Sequence, residues 1–348
     1  MNLQSLNITA ELLRLISEID EFKGGWSAVN DQSPERLKAL RRVATIESIG
    51  SSTRIEGSKL NDAEVESLLG KISQNSFLTR DQQEVAGYSE VMEMVFENSA
   101  NIPLTDNFIK QLHATLLRHS KKDDWHLGEY KKHSNSVEAF DSSGKSLGVV
   151  FETSPAFDTP RLMSELLSWT REALADKSYH PLIVTAVFNV VFLAIHPFQD
   201  GNGRLSRVLV SLLLLKSGYH YIPYSSLESV IEKNKESYYL ALQRTQKTLD
   251  KDQTDWIPWL RFFLTSLKRQ KDHLISKTSN LDKYASLPHE SMLIMQYVDA
   301  NHRIMMKDAQ AIINTISRPT IKNRFTDLVK KGLLVKNGKA RGTWYSKA

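Results

Sequence analysis

The sequence predicts a mainly α-helical protein with a single β-hairpin and a small basic module at the carboxy end. Three observations carry this: apolar residues recur at helical spacing through most of the chain, strand formers cluster in one stretch, and charge divides unevenly along the length. Of 348 residues, 41% are hydrophobic and 24% charged, the balance of a folded globular chain and not of a disordered or fibrous one. That length suits a medium domain plus something smaller, or two to three packed units. There is no cysteine, which excludes disulfides, thiolate nucleophiles and Cys-ligated zinc, and fits a reducing compartment. The amino terminus has no basic start followed by an apolar signal run, and no stretch reaches the roughly 18 apolar residues of a membrane span. The expectation is a cytoplasmic location and no membrane partner.

Helices are expected in order along the body. Ser33-Pro34-Glu35 opens one with a cap and a first-turn proline; Leu37, Leu40, Val43 and Ile46 follow, and Gly50 is expected to stop it. Asn61 with Glu64 forms a capping-box pattern that opens a second, ending at Gly70, with 51–58 between the two. Periodicity then predicts helices over about 84–98, 106–118, 161–173, 182–194, 205–217, 225–248 and 256–274. The exception is 130–153, where Asp141-Ser-Ser-Gly144 reads as a turn before the strand formers 147–153. The polar stretch 268–283 reads as the linker, and no internal repeat is found.

Residues 285–348 hold 11 Lys/Arg against 4 Asp/Glu, a net charge of +7 that leaves −2 on the rest of the chain. The two parts therefore have different partners.

Chemistry concentrates in His196-Pro-Phe-Gln-Asp200-Gly-Asn-Gly203-Arg204-Leu-Ser-Arg207, a polar loop between two apolar runs. Gly201 and Gly203 permit positive φ and close ligand approach, and the amides opening the next helix form an anion-binding concavity suited to phosphate. Arg204 and Arg207 share one face of that helix, where they can clamp further phosphate oxygens. Asp200 is a hard oxygen ligand for a magnesium ion bridging phosphates, and His196 is the group able to take a proton near neutral pH. Singly, each feature is more often a structural histidine, a turn or a solvated face; together, within twelve residues at a helix start, they point to one site.

HPFQDGNGRLSR resembles the signature of the Fic family, His-Pro-Phe-x-Asp/Glu-Gly-Asn-Gly-Arg-x-x-Arg, at every specified position, and the resemblance extends over about 33–267. It implies a Fic-type helical core with a β-hairpin flap, divided as an amino-terminal helical region with an inhibitory helix (1–95), a catalytic core (96–267), a linker (268–284) and a carboxy-terminal domain (285–348). The implied activity is protein adenylyltransfer: AMP moves from ATP to a Ser, Thr or Tyr hydroxyl of a protein, itself included, and pyrophosphate leaves. His196 is then the base, Asp200 the Mg²⁺ ligand, and Gly201, Asn202 and Gly203 the phosphate cradle, with Arg204 and Arg207 neutralising the outer phosphates. The flap is implied to pair with an extended target segment, with Val149, Val150 and Phe151 as docking residues. Tyr238 or Tyr239 is implied at the adenine pocket, although aromatics at that spacing commonly belong to a core.

Ser52-Thr-Arg-Ile-Glu56-Gly57 resembles the family's inhibitory motif, Ser/Thr-x-x-x-Glu-Gly/Asn, here amino-terminal to the core. The implied brake is a Glu56 carboxylate on Arg207, which bars productive ATP; in some relatives that glutamate also assists AMP removal.

From Ser291 the pattern is helix, then 306–313, then an amphipathic helix from Ser317 to Lys331, then hairpin signals at Gly332, Gly338 and Gly342. This order resembles a winged helix-turn-helix with Arg318, Thr320, Lys322 and Arg324 on the recognition helix, so DNA, a docking protein or a homodimer partner are its expected contacts. Two rival readings stand beside the enzyme: an ATP-sensing, DNA-binding regulator, and a Fic enzyme that moves another group such as UMP, phosphate or phosphocholine.

Overall fold

The computed structural model describes the chain except for residues 1–2, 4, 31–33, 71–76, 134, 141–145, 250–252, 284–286, 314–315 and 339–341. The expected cap Ser33 and the turn 141–144 lie outside the described residues, as do the side chains of 136–152. The chain divides into two compact units, Met1–Asp272 and His273–Ala348.

The first unit is built on α7 (Pro181–Ile195) and α8 (Asn202–Lys216), which pack against each other and are buried almost all round. Helices buried on all sides need mostly apolar faces all round, which α7 has apart from Thr185 and Asn189, whereas α8 is apolar mainly after Arg207. Around them pack α1 (Ala10–Asn30), α2 (Pro34–Ile55), α3 (Asp62–Leu69), α4 (Arg80–Asn98), α5 (Asp106–Leu117) and α6 (Thr159–Ala175). The set is completed by α9 (Leu227–Lys233), α10 (Lys235–Gln246) and α11 (Ile257–Lys283). Asp20 on α1 accepts from Tyr219 at 2.6 Å and pairs with His180 at 2.8 Å, tying α1 to the start of α7 and the end of α8. Trp259, fully buried, donates its indole N–H to the Ala186 carbonyl at 2.7 Å, docking α11 on α7. At Gly87 a Cβ would stand 2.0 Å from the Leu116 carbonyl oxygen, so only glycine lets α4 approach α5 this closely.

The mainly α fold agrees with the sequence reading, and the hairpin forms as β1 (Ser136–Phe140) and β2 (Ser146–Glu152), antiparallel, with Val137 opposite Phe151 and Glu138 opposite Val149. The Asn61–Glu64 capping box forms with both reciprocal bonds. Other boundaries differ. Gly50 does not stop α2, which continues to Ile55: the space beside its Cα is filled by Arg54 Nη1 and Asp62 Oδ1, each within 2.7 Å of where a Cβ would be. The stop falls at Gly57, whose φ of 106° only glycine adopts readily. The expected helix 225–248 is two, because the Asn234 side chain donates to the Val230 carbonyl at 2.7 Å and breaks the ladder. The stretch 268–283, read as linker, is helical in α11, and α1 had no counterpart in the periodicity reading.

In the second unit α12 (His289–Asn301), α13 (Met306–Ile312) and α14 (Arg318–Lys330) enclose a core with β3 (Arg303–Met305), β4 (Leu334–Asn337) and β5 (Trp344–Lys347). The strands form an antiparallel sheet in the order β3-β5-β4. Phe325 of α14 stacks on Tyr345 of β5, centroids 4.2 Å apart, and so fixes that helix on the sheet.

Candidate active site

The loop between α7 and α8 is held open by its own residues. His196 ends α7 in a left-handed conformation, φ 52° and ψ 62°, and Gly201 starts α8 at φ 79°. The Asn202 side chain accepts from the Phe198 amide at 2.9 Å and donates to the Phe198 carbonyl at 2.7 Å, which closes the loop on itself. The Asn202 side chain therefore has a task in loop geometry beside its expected place in the phosphate cradle. The Gly201 amide is likewise taken, by Asp200 Oδ1 at 2.6 Å. Gly201 has no side chain to cap α8, so the first-turn amides of that helix keep their anion-binding character.

Beneath the loop lies His113 of α5, absent from the sequence reading. Its ring stacks on Phe198 at 3.8 Å with planes 7° apart, and Nε2–H donates to the Asp200 carbonyl at 3.0 Å while Nδ1 accepts from the Gly128 amide at 3.0 Å. Burial pushes its pKa down to about 4, so the ring is a neutral prop.

At His196 the Nδ1 atom lies 3.3 Å from the Leu193 carbonyl, which can only accept; Nδ1 therefore carries the proton and Nε2 the lone pair. Burial pushes the imidazole down to about 4, and the nearby Lys131 adds to that, against Glu56 and Asp200. A neutral, lone-pair-bearing imidazole at the loop entrance is equipped to accept a proton.

Asp200 and Arg204 belong to a closed ring of alternating charge. Arg80 at the start of α4 reaches Glu84 at 2.8 Å and Asp200 Oδ2 at 3.0 Å; Arg204 reaches Asp200 Oδ1 at 3.3 Å and Glu84 at 3.4 Å. Burial alone raises the Asp200 carboxyl, but Arg204, the Gly201 amide and Arg80 outweigh it and hold it below the ordinary carboxylate range. Arg204, 2% exposed, thus orients Asp200 more directly than it faces solvent, which modifies its expected role as a clamp. Arg80 and Glu84 were not legible in the sequence, since they meet the motif only through the packing of α4 on α8.

Arg207 is buried and is held from α2: Nε donates to Ser52 Oγ at 2.8 Å, and Nη2 to the Ser52 carbonyl at 2.9 Å and to Glu56 Oε1 at 2.8 Å. The Glu56 carboxylate also presses on the loop, because a Cβ at Gly203 would lie 2.2 Å from Oε1. A negative group therefore sits on the glycine at the amino end of α8. Arg54, between these two residues, grips Glu232 of α9 at 2.6 Å and Asp62 of α3 at 2.8 Å, fixing the end of α2 from the opposite side. Lys235, at the start of α10, faces Glu56 and Arg207, and burial pulls its ammonium below the ordinary value.

Tyr238 packs in the core against Trp259 and Phe262 with its hydroxyl in the field of Arg207, whereas Tyr239 is half-buried and faces Glu56. The backbone of Val149, Val150 and Phe151 forms β2; their side chains are outside what is described.

The donor set fits an anionic ligand. Among the described residues, Arg204 Nε and Arg207 Nη1 are buried donors without a hydrogen-bond partner in the protein, while Arg204 Nη1 is ion-paired with Glu84 and the space beside Gly203 is taken by the Glu56 carboxylate. No cluster of three or more His, Cys, Asp or Glu side chains able to hold a metal occurs among the described residues; Asp200 is a single hard oxygen donor at the loop.

A helical core thus carries, at one helix start, a glycine loop, a histidine with its lone pair on Nε2 and two buried arginines, an arrangement that fits a phosphate-bearing anion. Residues 103–214 match the model of the Fic/DOC family, and the chain carries a domain of that family. It is 27% identical over 269 residues to Protein adenylyltransferase Fic of Aedes aegypti, covering 76% of this chain and 48% of that protein. To the protein of the same name from Drosophila mojavensis it is 25% identical over 300 residues, covering 84% and 53%. The chain thus spans about half the length of the curated relatives it matches. The fold resembles a solved Fic family protein from Desulfovibrio desulfuricans G20, with a TM-score of 0.62 at 23% identity over 99% of this chain and 97% of that one.

Proposed function

We propose that this protein transfers AMP from ATP to a hydroxyl group of a protein and that Glu56 holds the reaction in check. The observation that supports the reading is the Glu56–Arg207 contact over Gly203: a carboxylate is paired with the buried arginine and rests on the glycine of the loop. In the reaction the target oxygen attacks the α-phosphorus, its proton passes to His196 Nε2, and the bond to the bridging oxygen breaks so that pyrophosphate departs. Arg207 and the first-turn amides of α8 stabilise the outgoing phosphates. Asp200 would hold magnesium, which would supply positive charge against the phosphates. Tyr239 borders the nucleotide, and Val149, Val150 and Phe151 on the hairpin dock an extended segment of the target, which includes the protein itself. The name shared by the curated relatives supports the donor and the transferred group.

In the same reading Glu56, once it leaves Arg207, orients water for AMP removal. The catalytic core is read as 96–267 behind an inhibitory region, 1–95. The second unit is read as a winged helix that contacts DNA through Arg318, Thr320 and Lys322, or that supports a homodimer. Arg324 is withdrawn from that list, since it pairs with Glu290 at 3.3 Å within the unit. A cytoplasmic setting accords with a chain free of cysteine. Among the described residues no helix is long and apolar enough to cross a membrane.

The test is labelling with ATP carrying its label on the α-phosphate, in magnesium, for Glu56→Gly and Glu56→Gly/His196→Ala, with a lysate as target source. The reading expects labelled protein with the first and none with the second. Label from γ- but not α-labelled ATP would instead make the enzyme a kinase, and intact nucleotide binding without any transfer would favour the ATP-sensing regulator.

A further inference from the structure

Lys131 has no task in the reaction as described, yet it is 3% exposed and its ammonium donates to three oxygens: Asn135 Oδ1 at 3.0 Å, Thr153 Oγ1 at 2.9 Å and the Ile195 carbonyl at 2.9 Å. All three are neutral, and burial pushes the pKa down to about 8. A buried cation solvated only by dipoles is expensive to keep, so what those dipoles belong to matters.

They belong to the two legs of the hairpin and to the backbone around His196. The Ser154 amide donates to the Ala194 carbonyl at 3.2 Å, Lys131 Nζ to that of Ile195, the Lys131 amide to that of Pro197 at 2.8 Å, and Asn135 Nδ2 to that of Phe198 at 2.8 Å. Four carbonyls flanking His196 are therefore held by residues just before β1 or just after β2. Thr153 closes the cluster by donating to the Asn135 carbonyl at 2.7 Å. His196, in the middle, has φ 52°, a conformation that L-residues adopt rarely and that persists only where its surroundings impose it.

We propose that Lys131 is a positioning residue that locks both legs of the hairpin to the backbone on either side of His196, so that the strand docking the target and the base receiving its proton share one geometry. This rests on His196 being the base. The charged groups facing its ring are Lys131, Glu56 and Asp200, and Lys131 is the one that opposes imidazolium formation.

The test uses the full chain with Glu56→Gly as parent. Lys131→Met, which keeps the aliphatic stem, is expected to lower kcat by about tenfold or more with KM for ATP within about twofold, since alignment and not nucleotide binding is lost. The His196 ring pKa, followed by NMR, is expected to rise; Lys131→Arg, which keeps the charge, leaves that pKa low and regains part of kcat. Unchanged kcat with an unmoved ring pKa overturns the proposal, as does a loss confined to ATP affinity. Should Lys131→Met fail to fold, Thr153→Val, which removes one acceptor and one hairpin link, takes its place: a kcat loss with ATP affinity kept supports the lock, and an unchanged kcat overturns it. If the parent itself transfers no AMP, the adenylyltransfer reading fails, while the His196 titration with and without Lys131 still decides this proposal.

Discussion

The Glu56 carboxylate lies 2.8 Å from Arg207 Nη2 while its oxygen rests against Gly203, so one side chain just past the end of α2 covers both the cation and the glycine of the loop. Its side chain is 32% exposed whereas that of Arg207 is 4% exposed, so solvent reaches the pair from the glutamate side, and a competing anion can enter from there.

Ser52 shares that grip. In Ser52→Ala the buried Arg207 Nε loses its acceptor, which costs about 1–3 kcal/mol, while the Ser52 carbonyl still holds Nη2. A lowered melting temperature is expected together with activation weaker than in Glu56→Gly, read by calorimetry and autolabelling. A variant as silent and as stable as wild type contradicts the role given to Ser52.

Arg80 occupies Asp200 Oδ2, an oxygen that magnesium would need under the proposed function. Because the Arg80 side chain is 52% exposed, the pair is worth only about 0.2–1 kcal/mol, and Arg80→Ala should lower the magnesium half-saturation of nucleotide binding by about twofold to fivefold in a Glu56→Gly background. A raised half-saturation would mean that Arg80 assists the metal site and does not compete with it.

Stability should fall with acidification between the unfolded and folded histidine values. His113 and His196 are both held near 4 by burial, below the ordinary 6.5, so the unfolded chain binds more protons in that window. Their stabilisation is complete above 6.5 and is lost as pH drops toward 4, each contributing a slope of at most about 1.4 kcal/mol per pH unit. Melting curves across that range should show the decline, and His113→Gln should flatten it. A wild-type melting temperature that does not change from pH 6.5 to 4.5 contradicts the buried neutral assignment.

The loop was legible because its chemistry is contiguous: histidine, carboxylate, glycines and arginines lie within 196–207, and a helix start next to two glycines has few other readings. Capping at Asn61 was legible for the same reason, its partner being three residues away. What could not be read comes from far along the chain. Arg80 is 120 residues from Asp200, and His113 is 87 from it, so neither partnership leaves a local pattern. Asn202 suits phosphate by residue type, whereas its side-chain contact with a backbone four residues back is a matter of loop geometry that sequence does not show. Gly50 looked like a stop because helix-breaking propensity was weighed without the Arg54 side chain that packs against it.

The most direct measurement is the initial rate of AMP transfer at saturating magnesium and ATP for wild type and Glu56→Gly, with His196→Ala as the blank. The contact with Arg207 predicts a Glu56→Gly rate at least about tenfold above wild type, the equivalent of about 1.4 kcal/mol of relieved block. Equal rates, both above the blank, would contradict it and make Glu56 a surface acid without control over the site.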